Sequence, residues 1–186
     1  MYDLLLKGGR VIDPSADLDS PLDVALKAGR IAKVSAQIHK TEALRWLDVR
    51  GKIVSPGLID VHAHIFEHGI DSGLDPDLAG VRSGVTTIVD AGSAGSSNYT
   101  GFHRMIIERS TTRILTNIHI AKAGLAFMPE ARDEDDILLD DTIAMIHQYP
   151  GEIIGVKVRA CGPAVDAMGI EYIRSALTAA EEGGVR

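Results

Sequence analysis

Cysteine is almost missing from this chain: Cys161 is the single one in 186 residues. That excludes an internal disulfide framework and a cysteine-based zinc knuckle, and it fits a reducing compartment. Positive charge is in deficit. Lys and Arg number 19 against 26 Asp and Glu, a formal charge of −7, which is not the basic excess of a general nucleic-acid or anionic-membrane binder. No stretch offers the ~18 unbroken apolar residues of a membrane span. The N-terminus opens on strand-like sequence, without the charged and apolar regions of a signal peptide. These absences set an expectation of a cytoplasmic protein with neither nucleic acid nor membrane as partner. Aromatics are few, at 4%, but 45% hydrophobic and 24% charged residues are the composition of a globular domain. The length is enough for a core, yet long for one small domain and short for two generous ones.

The first fifty residues read as short strands and hairpins. Tyr2–Lys7 and Arg10–Asp13 are β-runs around Gly8-Gly9, a hairpin signal, with Pro14 as the stop. Asp23–Lys27, Ala28-Gly29 and Arg30–Val34 repeat the scheme with clearer alternation. A third stretch, 46–53, leads into Ser55-Pro56-Gly57, where the chain is punctuated. Beyond Gly57, strand and helix alternate. Strands are predicted over 58–65, 84–90, 113–121 and 152–159, and helices over 77–83, 101–110, 137–149 and 170–182. Four strands each followed by a helix imply a parallel sheet with right-handed crossovers. The acidic run 133–136 reads as a solvated loop and helix N-terminus.

Chemistry concentrates in Pro56-Gly57-Leu58-Ile59-Asp60-Val61-His62-Ala63-His64. Side chains alternate across a strand, so Leu58, Asp60, His62 and His64 share one face. Ile59, Val61, Ala63 and Ile65 form a purely apolar second face, suited to packing under helices. The two imidazoles sit at the strand's C-terminal end, where parallel α/β barrels place functional residues, and are close enough to ligate one divalent ion. Satisfied core histidines are the competing reading. Lys157, within the Ile/Val-rich run 152–159, adds weight to the metal. A buried, unpartnered ammonium is expensive and normally loses its proton, and a neutral amine can add carbon dioxide to become a carbamate, an oxygen ligand able to bridge two ions. The alternative is a lysine that snorkels or pairs with a carboxylate such as Asp90.

With its small β unit opening on Leu-Lys-Gly-Gly-Arg-Val-Ile-Asp and its His-x-His strand, the whole chain resembles the amidohydrolase superfamily, in its dihydroorotase-like branch of cyclic amidases and deacetylases. The resemblance implies a (β/α)8 barrel preceded by part of a β-sandwich. Residues 1–55 would be the β unit and 56–186 the first four βα units. It implies two divalent metal ions, zinc foremost, with His62 and His64 on the more buried one and a carboxylated Lys157 bridging them. Metal-lowered water pKa would supply the nucleophile for amide or ester hydrolysis. Two further histidines and an aspartate acting as general base then general acid belong to later strands, beyond Arg186, so no catalytic proton-transfer residue is expected within the chain. A barrel of this kind takes about 250 residues. The chain therefore reads as the N-terminal half of one, inactive alone, and the full-length protein as a homo-oligomer.

The same resemblance narrows the substrate to a small-molecule amide or ester. Dihydroorotases usually carry an arginine two residues after the second histidine, a fork for the substrate carboxylate. Phe66 stands there, which argues for a deacetylase of acetylated hydroxy or amino acids, or a cyclic amidase, over dihydroorotase itself. The loop 90–98, following the second barrel strand, resembles such deacetylases; backbone N–H groups around Gly92 and Ser93 could receive a substrate oxygen, although a glycine- and serine-rich loop is more often just a turn. His119 shares a face with Leu115 and Asn117 and is either a site or a core residue. Arg159 shares the Lys157 face, either contacting a substrate carboxylate or pairing with an acid of the 133–136 loop. Cys161 lies near the site without an activating neighbour, and His39, His103 and His147 default to the surface. Two rival readings are a non-catalytic scaffold of the same superfamily and an open α/β nucleotide-binding domain, the latter lacking both the Walker lysine pattern and G-x-G-x-x-G.

Overall fold

Gly8 and Gly9 do not turn the chain. In the computed structural model, which describes residues 1–186, Tyr2–Asp13 is one twelve-residue strand, β1. Its pairing register slips between Leu6 and Gly9, so the glycine pair is a β-bulge where a hairpin was expected. Glycine is required here for two reasons. Gly8 has φ +78°, and a Cβ on it would lie 2.7 Å from the Arg50 side chain; the left-handed backbone and the close approach both disfavour any side chain. Asp23, almost fully buried, accepts from the Gly8 and Ile38 N–H groups at 2.8 and 2.9 Å and from Lys7 Nζ at 2.6 Å, so the polar groups freed by the bulge are paired.

The reversal comes later, at a 3₁₀ turn over Pro14–Ala16, and leads into β2 (Leu18–Lys27). The Ala28-Gly29 turn, with both φ positive, joins β2 to β3 (Arg30–Ser35) as the sequence signal predicts. The expected stretch 46–53 is split into β4 (Ala43–Asp48) and β5 (Ile53–Val54). The sheet runs β3-β2-β1-β4, with β5 also on β1, around a core of Leu5, Ala25 and Ile38. This unit comprises Met1–Pro56.

Gly57–Arg186 forms the second unit. Its strands are β6 (Leu58–Ala63), β7 (Val85–Asp90), β8 (Arg113–His119) and β9 (Ile153–Lys157). They pair in chain order and all in parallel, the open sheet of a partial α/β barrel. The crossovers carry α1 (Pro76–Ala79), α2 (Tyr99–Met105) and α3 (Leu139–Gln148). After β9 come α4 (Pro163–Met168), which the periodicity does not announce, and α5 (Ile170–Gly183). Ile88, Ile114, Ile118 and Ile153 of the sheet pack with Tyr99 and Phe102 of α2 and Ile146 of α3; each such burial contributes about 1.5–3 kcal/mol. The stripe Tyr172, Ala176 and Ala179 of α5 sits in a second cluster with Ile120, Ala121, Ala131 and Ala164, at the spacing of one helix face.

The apolar second face of β6 departs from expectation. Ile59 and Val61 are 60% and 71% exposed, although Ile65 beyond them is buried. β6 is an edge strand, and no helix of this unit lies outside it to cover those two side chains. At the other edge the last residue lies along β9: Val156 N–H donates to the Arg186 carbonyl at 2.7 Å, and Arg186 N–H to Ile154 at 3.3 Å.

Candidate functional site

Register brings the chemistry-bearing residues to one rim. Ala63 pairs with Asp90, Asp90 with Thr116 and His119 with Lys157, so β8 and β9 run about three residues past the ends of β6 and β7. His62 and His64 flank the end of β6, and the 91–93 turn after β7 reaches the Lys157 and His119 side chains. The His62 and His64 rings are 5.6 Å apart, centre to centre, and nearly perpendicular. His64 Nδ1 lies 3.0 Å from Ser93 Oγ. Desolvation moves the His64 pKa below its ordinary value, which favours the neutral imidazole that a metal requires.

Asp90, which ends β7, is fully buried, and burial pushes its pKa up. It makes no pair with Lys157. Its oxygens accept instead from Ile65 N–H (3.0 Å), Gly92 N–H (3.0 Å), Ser93 N–H (2.7 Å) and Ser93 Oγ (2.7 Å). This corrects the reading of the loop as a cradle for substrate. The Gly92 and Ser93 amides are already spent on Asp90, and the Ser93 side chain is wholly buried between Asp90 and His64.

Gly92 contributes by having no side chain. At φ +86°, a Cβ there would fall 2.5 Å from Lys157 Cβ and Cγ and 3.4 Å from the His119 ring. The Lys157 stem therefore runs directly over the 91–93 turn. The lysine is half-buried and makes no ion pair or side-chain hydrogen bond.

His119 is also fully buried. Its Nδ1 accepts from the Ala121 N–H at 3.0 Å, and its Nε2 has no partner. Desolvation pushes its pKa down to about 4, so the ring is neutral at pH 7 with the proton on Nε2. Arg159 forms an ion pair with Glu130, whose carboxylate is buried, and the acids of the 133–136 loop are not its partners. Asp136 of that loop pairs with Lys122 at 3.0 Å. The buried Glu130, which the sequence reading missed, neutralises the guanidinium and so weakens its case as a substrate-carboxylate fork.

His103, expected at the surface, is instead mostly covered, with Nδ1 3.0 Å from Glu152 and Nε2 3.2 Å from Glu108. His39 and His147 are exposed, as is Cys161. Phe66 packs on Phe102 at 4.7 Å. No three His, Cys, Asp or Glu side chains converge to hold an ion by themselves. The donor set that fits a divalent ion is the His62/His64 pair with the unpaired amine of Lys157.

A parallel partial sheet with imidazoles and an unpaired lysine at the C-terminal ends of its strands defines the class as a partial α/β barrel, in which those ends are the customary place for functional residues. No family model matches the chain. A curated relative, "Deacetylase Atu3266" of Agrobacterium fabrum, is 36% identical over 149 residues, covering 78% of this chain and 37% of the relative. A crystal structure of a dihydroorotase superposes with TM-score 0.88 at 31% identity, over 100% of this chain and 50% of that one. One of an adenine deaminase gives 0.86 at 30%, over 99% and 48%. The chain belongs to the amidohydrolase superfamily, and it spans less than half the length of the curated relative and about half of the two solved structures.

Proposed function

We propose that this chain carries one side of the active site of a metal-dependent hydrolase acting on C–N amide or ester bonds, of the deacetylase or cyclic-amidase type. The observation that supports the reading is that one turn joins the two strands: His64 of β6, with His62 beside it, lies against Ser93, and the Lys157 stem of β9 passes over Gly92, with the lysine amine unpaired. His62 and His64 offer nitrogen donors. The Lys157 amine, on adding carbon dioxide, forms an N–C bond, releases a proton and becomes a carbamate with oxygen donors. When bound, divalent ions, zinc foremost, would supply Lewis acidity toward a carbonyl and lower the pKa of water. The neutral His119 ring puts no added positive charge beside Lys157.

Phe66 supports the deacetylase type over dihydroorotase. Its ring is turned onto Phe102, so this position presents no guanidinium to a substrate carboxylate. The relative named as a deacetylase points the same way.

Equilibrium dialysis of the chain against zinc is the test. The expected result is zinc binding that falls at least tenfold in His62→Asn, in His64→Asn and in Lys157→Met, with the fold kept by circular dichroism. A chain that binds no zinc, or binds it equally well in all three variants, overturns the reading. Since none of its own side chains is assigned the proton transfer to the leaving group, the chain alone is expected to show no turnover of N-acetylated amino acids. Turnover would overturn that part.

A further inference from the structure

We propose that Asp90 and Ser93 are positioning residues, which fix His64 as its Nδ1–H tautomer and so present Nε2 to the bound ion; this rests on the metal-dependent reading above. Asp90 is fully buried, and its two oxygens accept from three backbone N–H groups and the Ser93 hydroxyl at 2.7–3.0 Å. A carboxylate has about four such acceptor sites. Every one faces a donor, so the cage accommodates the ionised form and leaves Asp90 no lone pair for a metal or for Lys157.

The consequence passes to Ser93. A serine hydroxyl has one hydrogen, and an ionised Asp90 can only accept, so the Ser93 proton points to Asp90 Oδ2. The remaining polar contact of Ser93 Oγ, to His64 Nδ1 at 3.0 Å, then requires the hydrogen on the imidazole. Nδ1 is the donor, and the lone pair of the ring is on Nε2. A histidine ligand whose second nitrogen is tied down in this way is both oriented and made more basic.

The same turn reaches the opposite strand. Asp90 holds the Gly92 N–H, and Gly92, at φ +86°, leaves the lane in which the Lys157 stem lies. One buried carboxylate thus sets the turn that aligns a β6 donor and the β9 lysine, two strands that do not pair with each other.

The experiment uses the metal-free chain labelled with ¹⁵N-histidine, read at pH 7.5 by long-range ¹H–¹⁵N correlation, with zinc affinity measured in parallel. In the wild type, His64 is expected as Nδ1–H. In Ser93→Ala the preference for that tautomer is lost, and zinc binds about 10- to 100-fold more weakly, while the circular dichroism spectrum is unchanged. His64 found as Nε2–H in the wild type overturns the proposal, as does unchanged zinc affinity in Ser93→Ala. The tautomer is read on the wild type without metal, so it decides the positioning even if a variant misfolds. A wild-type chain with Nδ1–H at His64 but no zinc binding would support the tautomer assignment and overturn the metal-dependent reading instead.

Discussion

At the scale of single residues, the site depends as much on what is missing as on what is there. Gly92 has both a left-handed φ and a neighbour 2.5 Å from where its Cβ would be. Gly92→Ala therefore strains the backbone and displaces the Lys157 stem. A cost of about 1–3 kcal/mol is expected, measurable as a lower urea midpoint at unchanged slope. His62, His64 and Lys157 could be singled out from the sequence because imidazoles two apart on a strand, and a lysine in a β-branched run, are unusual in themselves. Asp90 was visible only as a possible partner for Lys157. What hid its role is that its four hydrogen bonds come mainly from backbone amides of Ile65, Gly92 and Ser93, and no side-chain pattern encodes which amide faces which carboxylate. Glu130 is hidden for a similar reason: it lies 29 positions before Arg159, and only folding makes them an ion pair.

At the scale of elements, strands and helices were legible where hydrophobic period was strong, and ends were set by local contacts. Strands β6 to β9 fall inside the predicted runs, with β6, β8 and β9 each two residues shorter at the C-terminal end, where the chain leaves the sheet to build the rim. The Gly8-Gly9 signal failed because a bulge and a hairpin ask for the same residue, and only the register with β2 separates them. Helix α1 is a further case, four residues long and held by a hydrogen-bonding carboxylate. Asp77 accepts from Thr112 N–H (2.8 Å), Thr111 N–H (2.9 Å) and Thr112 Oγ1 (2.8 Å), tying α1 to the loop before β8. Led by the Thr112 amide, these bonds lower its pKa to about 2. The unfolded value is about 3.9, so between the two the unfolded state binds more protons and stability falls as the pH drops. The contribution is complete above roughly pH 4 and is lost toward pH 2. Asp77→Asn is expected to be less stable at pH 7 and to show a shallower acid limb in urea midpoints measured from pH 5 to 2. Parallel acid limbs would contradict this.

At the scale of the whole chain, the open edges dominate. β6 and β9 are the edge strands of the sheet; the outer side of β9 carries the two backbone bonds to Arg186, whereas Ile59 and Val61 are largely exposed on β6. Such a strand is a template for edge pairing. The double variant Ile59→Lys, Val61→Lys is expected to reduce self-association in sedimentation velocity. Its unfolding midpoint should stay within about 0.5 kcal/mol of the parent, since both side chains are exposed. Equal association in the two proteins would mean that this edge is not the sticking surface.

The sequence by itself determined the alternation of strand and helix beyond Gly57, the parallel pairing of those strands, and the identity of the three candidate ligands; it did not show that β1 of the first unit pairs with β4 and β5 in parallel. The former are read from period and residue type, which are local properties. Tertiary structure alone decided that Asp90 is walled in by amides, that Ser93 lies beneath His64, that the Lys157 stem crosses Gly92, and that Arg159 is neutralised by Glu130. Each of these depends on segments 25 or more residues apart meeting at the C-terminal side of the sheet, and a partner at that distance is fixed by tertiary packing.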